Sequence, residues 1–357
     1  MKIGILTVHR AINVGAVLQC YALQETLKSL GHEVWVINYV QEKVERTDRP
    51  VYSLQGWFRL LGGLHFRSFI CYWKEWNKKR KAYHNFDSFL DNYLHCTSPC
   101  DERHIPQDFD VYVIGSDQLW NSNIFGYHEK VYWGNFNHPI DSKLVAYAPS
   151  TSVRNLEEAG KEFVSKSLSK FDMLAVREKS VEKYMNSNFQ VKNMVETVLD
   201  PTLLVNPTIW KNIEGDKYAE KKYIFVYEAR PCRGQFGFLW KKAKILADKM
   251  GCDIINFELH KHSPLDYLDI ISHATCVMTS SFHGVVFSLI YNRPLIAVKY
   301  GDEQDGRYVD LLKSVGAEDM LVNFDFEPEK PQGRNYAEIN EKLNLLRLQS
   351  INYLKRI

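Results

Sequence analysis

The stretch CVMTSSFHGVVFSLIYNRPLIAVKY, Cys276 to Tyr300, decides how this chain is read. A short apolar run stops at Thr279, Ser280 and Ser281, and apolar residues return at helical spacing from Val285, after His283 and Gly284. A second β-prone run follows at 295–298. The order is strand, tight turn, helix, strand, with a histidine at the mouth of the helix. Hydroxyls of Ser280 and Ser281 can cap that helix, and its first free amides then face the same space as the imidazole. Such a spot serves an anionic ligand and a proton carrier together. The alternative is a capped helix with an incidental histidine.

The same rhythm repeats outward from this turn. Residues 2–8 are a continuous β-prone run, as expected of a strand buried on both faces of a parallel sheet. A helical pattern then runs to a stop at Gly31, and 33–40 reads as the next strand. This βαβ unit sets residues 10–15 at the carboxyl end of the first strand, where open α/β sheets bind ligands. The loop has no Gly-x-Gly-x-x-Gly fingerprint, which argues against a dinucleotide site. Asn13 can orient a ligand and Gly15 can let the backbone approach one; a plain turn is the alternative.

Further strands are predicted at 110–114, 143–147, 173–176 and 195–199. They end in Gly115-Ser116-Asp117, Ala148-Pro149-Ser150, Arg177-Glu178 and Asp200-Pro201-Thr202. Polar residues that recur just past strand ends predict one shared crevice, with Asp117 and Arg177 its sharpest members. Arginine is the natural fork for phosphate or carboxylate; the competing reading of Arg177 is an ion pair with Glu178 or Glu182. A polar stretch at 206–222 reads as a boundary. Beyond it, strands at 223–227 and 252–257 enclose a loop that carries Glu228 and Arg230, and a helical pattern spans 336–354. The expected architecture is α/β, with two Rossmann-like domains (1–205 and 206–330) facing a central cleft. A C-terminal helix within 331–357 is expected to pack back on the first domain.

Composition narrows the function classes. With 357 residues, 45% hydrophobic and 25% charged, the chain is a globular protein of about two domains. A formal net charge of +2 provides no field that would make nucleic acid the main partner. Seven cysteines without a Cys-x-x-Cys pair fit a reduced compartment, and no metal site is expected. The N-terminal run ends in His9 and Arg10 without a small-residue cleavage site, so it is read as a strand of a cytoplasmic protein. From 51 to 93, aromatic residues alternate with lysines and arginines. Such an insertion suits an anionic membrane surface or a lipid-linked substrate; the plainer reading is a helical insertion with a solvated basic face.

Six stretches in chain order, MKIGILTVHRAINVGAVLQCYALQ, VYVIGSDQLWN, AYAPS, AVREKSVEKY, DPTLL and TSSFHGVVFSLIYNRPLIAV, together resemble the polysaccharide pyruvyl transferase family. The resemblance covers roughly 2–315. It implies a GT-B-like fold and transfer of a pyruvyl group from phosphoenolpyruvate onto two hydroxyls of a sugar, with release of phosphate. The acceptor would be lipid- or nucleotide-linked, and no cofactor is implied. His283 matches the family's histidine and becomes the acid. Arg177 matches an arginine that clamps the donor, with Ser280, Ser281 and Gly284 beside it. Asn13, Gly15, Ser116, Asp117, Glu228 and Arg230 are left for the acceptor or the cleft.

Two points need a structural answer. A helix N-terminus disfavours an imidazolium, so a carboxylate such as Glu228 or Asp117, or the bound phosphate, must offset it. Family members often carry an arginine two residues before the histidine, where this chain has Ser281. The charge would then come from Arg230, Arg233, Arg293 or Arg307. Two other classes share these features: a GT-B glycosyltransferase using a nucleotide sugar, and a non-catalytic, membrane-associated binding subunit.

Overall fold

The computed structural model describes the chain except residues 42–65, 122–123, 125–128, 233 and 332, and it leaves out the side chains of 66–75 and 303. Two parallel sheets form its frame. The first takes β1 (Lys2–Leu6), β2 (Glu33–Val36), β3 (Val111–Ile114), β4 (Lys143–Tyr147), β5 (Met173–Val176) and β6 (Glu196–Thr197), in the order β2-β1-β3-β4-β5-β6. The second takes β7 (Tyr223–Tyr227), β8 (Asp253–Asn256), β9 (Cys276–Thr279), β10 (Leu295–Lys299) and β11 (Leu321–Asn323), in the order β11-β10-β9-β7-β8. The strand order reverses beside β1 in one sheet and beside β7 in the other, so each sheet opens a crevice there. This is the α/β, two-Rossmann, GT-B-like architecture expected from the sequence.

The helices are α1 (Val14–Ser29), α2 (Phe66–Tyr93), α3 (Val153–Ala159), α4 (Lys161–Leu168), α5 (Lys179–Asn188), α6 (Pro207–Lys211), α7 (Phe238–Met250), α8 (Pro264–His273), α9 (Phe282–Ile290), α10 (Gly306–Ser314) and α11 (Ala337–Leu354). Several bounds differ from the sequence reading for visible reasons. The first strand stops at Leu6 because the following turn closes on itself, with His9 Nδ1 3.0 Å from the Thr7 carbonyl. β6 keeps only two residues, since the Leu199 amide donates to Ser350 Oγ of α11 at 2.9 Å and not to a strand. The helical stretch between β4 and β5 breaks into α3 and α4 at Gly160, whose φ of 88° lies in the left-handed region.

The stretch read as a polar linker contributes the centre of the core. Trp210 in α6 is fully buried; its ring lies 5.8 Å from Tyr21 of α1 and 5.0 Å from Phe287 of α9. Its indole donates to the Thr202 carbonyl at 3.3 Å. One apolar cluster therefore runs from the helix behind the first sheet to the helix that carries His283. The last helix, α11, lies against the first sheet: Tyr353 Oη donates to the Ala146 carbonyl at 3.0 Å, and Lys143 Nζ to the Ile357 carbonyl oxygen at 3.0 Å.

Residues 51–65 of the aromatic and basic insertion lie outside the described residues. In the described end of α2, Phe86, Phe89 and Leu90 are buried, with Phe89 edge-on to Tyr21 at 6.0 Å, while Lys78, Lys79, Arg80 and Lys81 are exposed. Among the described residues no helix is long and apolar enough to cross a membrane.

If Trp210 joins the two halves, Trp210→Ala should lower stability by about 3–5 kcal/mol and split the unfolding transition. Urea melts followed separately by tryptophan fluorescence and far-UV circular dichroism measure both effects.

Candidate active site

The first turns of α1 and α9 meet edge to edge, and glycines make the approach possible. A Cβ on Gly15 would lie 2.0 Å from His283 Nδ1, and a Cβ on Gly284 would lie 2.4 Å from Thr279 Oγ1. Both positions therefore exclude any side chain. Ser281 is the N-cap of α9, its Oγ accepting from the Gly284 amide at 3.4 Å, while its own amide donates to Thr279 Oγ1 at 3.0 Å. Asn13 caps α1 in the same way, accepting from the Ala16 amide at 3.2 Å. His283 is thus wedged between two helix N-termini at 8% exposure, and its Nε2 has no hydrogen-bond partner.

Nε2 faces Asp200, whose Oδ2 lies 3.8 Å away, an electrostatic contact too long for a hydrogen bond. Asp200 follows β6 and its side chain is fully buried. It accepts from Ser116 Oγ at 3.3 Å, from the Thr202 amide at 3.0 Å and from Thr202 Oγ1 at 2.5 Å, and it pairs with the Arg177 guanidinium. Burial works to raise its pKa, but His283, Arg177 and Thr202 outweigh burial and hold the carboxyl well below the usual carboxylate range. Ser116 is itself held by Gln19 of α1, whose Oε1 accepts from the Ser116 amide at 3.2 Å while Nε2 donates to Thr7 Oγ1 at 2.9 Å. The chain of contacts thus links the ends of β1, β3, β5 and β6 to His283.

Arg177 stands over the Phe282 ring, its guanidinium carbon 4.5 Å from the centroid. Glu178 is 3.8 Å from its Nε, yet Nε and Nη2 make no hydrogen bond. The guanidinium of Arg307, in α10, lies 6.0 Å from the same ring, and the side chain makes no hydrogen bond or ion pair among the described residues. Burial first, and the charge of Arg177 second, lower the Arg307 pKa to about 10. Two guanidiniums with unfilled donors thus share one aromatic platform, and an anion between them would relieve their repulsion. Arg177, Asp200, Phe282 and Arg307 line a cavity of about 780 Å³ walled by Val198, Leu199, Leu203 and Leu311. Ser280 Oγ is a further buried hydroxyl; it makes no hydrogen bond of good geometry but lies close enough to the Tyr300 phenol to act on it.

The remaining residues singled out in the sequence divide. Asp117 sits at φ 71°, its carboxylate accepting from the Gln118 amide at 2.8 Å, and its charge acts on both Arg177 and Arg307. Glu228 is occupied by the Gly237 amide at 2.6 Å and the Tyr300 hydroxyl at 3.1 Å. Arg230 pairs with Asp302 and Asp305 and stacks 5.0 Å from the Tyr300 ring. Arg293 lies just past the far end of α9, and Arg233 is outside the described residues. The carboxylate that faces the histidine is therefore Asp200, to which the sequence reading gave a place past a strand end but no role. The arginine beside Arg177 is Arg307. Phe282 was not singled out in the sequence; its partners, Arg177 past β5 and Arg307 in α10, are distant in the chain and leave no local signal.

The family model for polysaccharide pyruvyl transferases matches residues 13–302. The chain belongs to this family. The match takes in Gly15, Ser116, Arg177, Asp200 and His283, while Arg307 lies just beyond its last residue. No sequence among curated proteins matches the chain. Similar solved structures include a UDP-N-acetylglucosamine 2-epimerase from Rickettsia bellii, 9% identical, with TM-score 0.48 and coverage of 99% of this chain and 98% of that one. A glycosyltransferase from Streptomyces sp. SF2575 is 12% identical, with TM-score 0.40 and coverage of 99% and 96%. Among the described residues no group of three His, Cys, Asp or Glu side chains gathers to hold a metal ion.

Replacing Asp200 by asparagine leaves Arg177 buried without its carboxylate, so Asp200→Asn should lose about 3–5 kcal/mol at pH 7. A depressed carboxyl adds stability above its unfolded pKa of about 3.9 and loses it as pH falls further. The gap between native protein and variant should therefore narrow below about pH 4, which urea melts across pH 7 to 3 will measure.

Proposed function

We propose that this chain transfers a pyruvyl group from phosphoenolpyruvate onto two hydroxyls of one sugar, forming a cyclic ketal and releasing phosphate. The observation that carries the reading is the pair of guanidiniums of Arg177 and Arg307, both within 6.0 Å of the Phe282 ring centroid, next to the His283 and Asp200 pair. A doubly anionic donor with a protonatable carbon suits that set. The guanidiniums hold phosphate and carboxylate, with Ser280 and the first amides of α9 as further donors. The Asp200 carboxylate, 3.8 Å from His283 Nε2, supports the histidine's role as acid, since a negative charge beside the ring stabilises an imidazolium.

In this scheme His283 gives a proton to the methylene carbon, C2 becomes electrophilic, and the first sugar hydroxyl bonds to C2 and returns its proton to His283. The C2–O bond to phosphate then breaks, the second hydroxyl closes the ketal, and its proton leaves with the phosphate. Atoms and charge balance with no cofactor in the sequence of steps. The acceptor is a precursor of a surface polysaccharide, nucleotide- or lipid-linked, met in the cytoplasm or at the inner face of the membrane. The 51–93 insertion is the candidate membrane contact.

The test is incubation with phosphoenolpyruvate and a panel of sugar acceptors, following phosphate release and the mass of the product. His283→Ala should lower kcat by about 10²- to 10⁴-fold, while Arg307→Ala should mainly raise KM for phosphoenolpyruvate. No phosphate release and no ketal across the panel, with uridine diphosphate raising Tm where phosphoenolpyruvate does not, would replace this reading with glycosyl transfer from a nucleotide sugar.

A further inference from the structure

Among the described residues, seven of the ten buried polar side-chain atoms that make no hydrogen bond of good geometry lie in two places. One is the cleft described above. The other is a cavity of about 640 Å³ at the opposite end of α9, bounded by α6, the ends of α8 and α9, and α11. Arg293 Nε has no partner there, and Glu214 Oε2 and the Tyr291 hydroxyl, which make no hydrogen bond of good geometry, lie close enough together that the carboxylate, after burial, pushes the phenol's pKa up. Nine residues of α9 separate the two places, about 13 Å at 1.5 Å per residue. The two cavities share no lining residue.

The charge of this cavity is one-sided. Lys211, Arg293 and Arg347 line it against the single carboxylate of Glu214, and His273 is occupied by Asp269 at 3.0 Å. Cations near helix C-termini often serve the free carbonyls there. Arg347 does this kind of work, its Nε donating to the Leu203 carbonyl at 2.7 Å. Arg293 does not: its guanidinium has no hydrogen bond or ion pair among the described residues. Its backbone is nevertheless fixed, the amide donating to the Ser288 carbonyl at 2.8 Å and the carbonyl accepting from Tyr336 Oη at 2.7 Å. An unpaired guanidinium on a fixed backbone, in a cavity of ligand size, is a poor device for stability and a good one for binding.

We propose that this cavity is a second ligand site, separate from the cleft, for a small phosphate monoester that also carries hydroxyls. Arg293, with Arg347 and Lys211 lining the same cavity, holds the phosphate. The free oxygen of Glu214 accepts from ligand hydroxyls, and the Tyr291 phenol donates. A sugar phosphate is the simplest member of the class, and bare phosphate lacks the hydroxyls that Glu214 would read. The inference stands on its own residues and does not depend on the reaction carried out at His283.

Isothermal titration of the full chain with glucose 1-phosphate and with inorganic phosphate tests it. The sugar phosphate should bind more tightly than phosphate, and Arg293→Ala should weaken it at least about tenfold. The Tm of the unliganded variant should be unchanged or higher, because the removed guanidinium has no partner to lose. Glu214→Gln should narrow the difference between the two ligands, and Arg307→Ala, which alters only the cleft, should leave sugar phosphate binding unchanged. Absence of binding to the native chain overturns the proposal. So does binding that survives Arg293→Ala but is lost in Arg307→Ala, which would place the ligand in the cleft.

Discussion

The buried carboxylate of Asp200 is the contact on which the rest of the site depends. A charge with no solvent around it must be paired, and here it is paired several times over: by Arg177, by Thr202, by Ser116 and, at longer range, by His283. Each partner comes from a different strand end or helix. The Arg177–Asp200 pair ties the ends of β5 and β6 within the first sheet, Ser116 adds the end of β3, and His283 at 3.8 Å links the carboxylate to α9 of the second half.

The apolar core reinforces that arrangement. Tyr21, Trp210 and Phe287 run through the join between the halves, and α11 returns to bond with the ends of β4 and with residues after β6. The two sheets thus share one core cluster, and each half has a further apolar cluster of its own. For catalysis this favours preorganisation: His283, Arg177 and Arg307 are held on elements whose positions are already set by packing. The unfilled donors on the two arginines are the part of the site that only a ligand completes.

Much of this was legible in the sequence. Parallel strands buried on both faces read as continuous apolar runs, so the two α/β units, the order of elements and the polar strand ends could be placed by pattern alone. Gly15 and Gly284 were singled out, and the structure supplies the reason: each leaves room for one specific neighbour. What could not be read was pairing across long separations. Asp200 looked like one polar strand end among several, and Glu228 looked an equal candidate to face His283. Only the fold shows that Glu228 is taken up by the Gly237 amide and the Tyr300 hydroxyl. Trp210 was lost in a polar stretch because a single buried aromatic leaves no period. Ser281, where family members often have an arginine, drew attention to a missing charge, and nothing in its neighbourhood of sequence points to Arg307 as the nearby guanidinium.

The central claim is that Arg177 and Arg307, both near the Phe282 ring and close to His283, form the seat of an anionic three-carbon donor. A crystal structure of the chain soaked with phosphoenolpyruvate tests this most directly. The account predicts phosphate or carboxylate oxygens within hydrogen-bond distance of both guanidiniums, with the methylene carbon turned toward His283 Nε2. Phosphoenolpyruvate bound elsewhere, with both guanidiniums still unfilled, would contradict it.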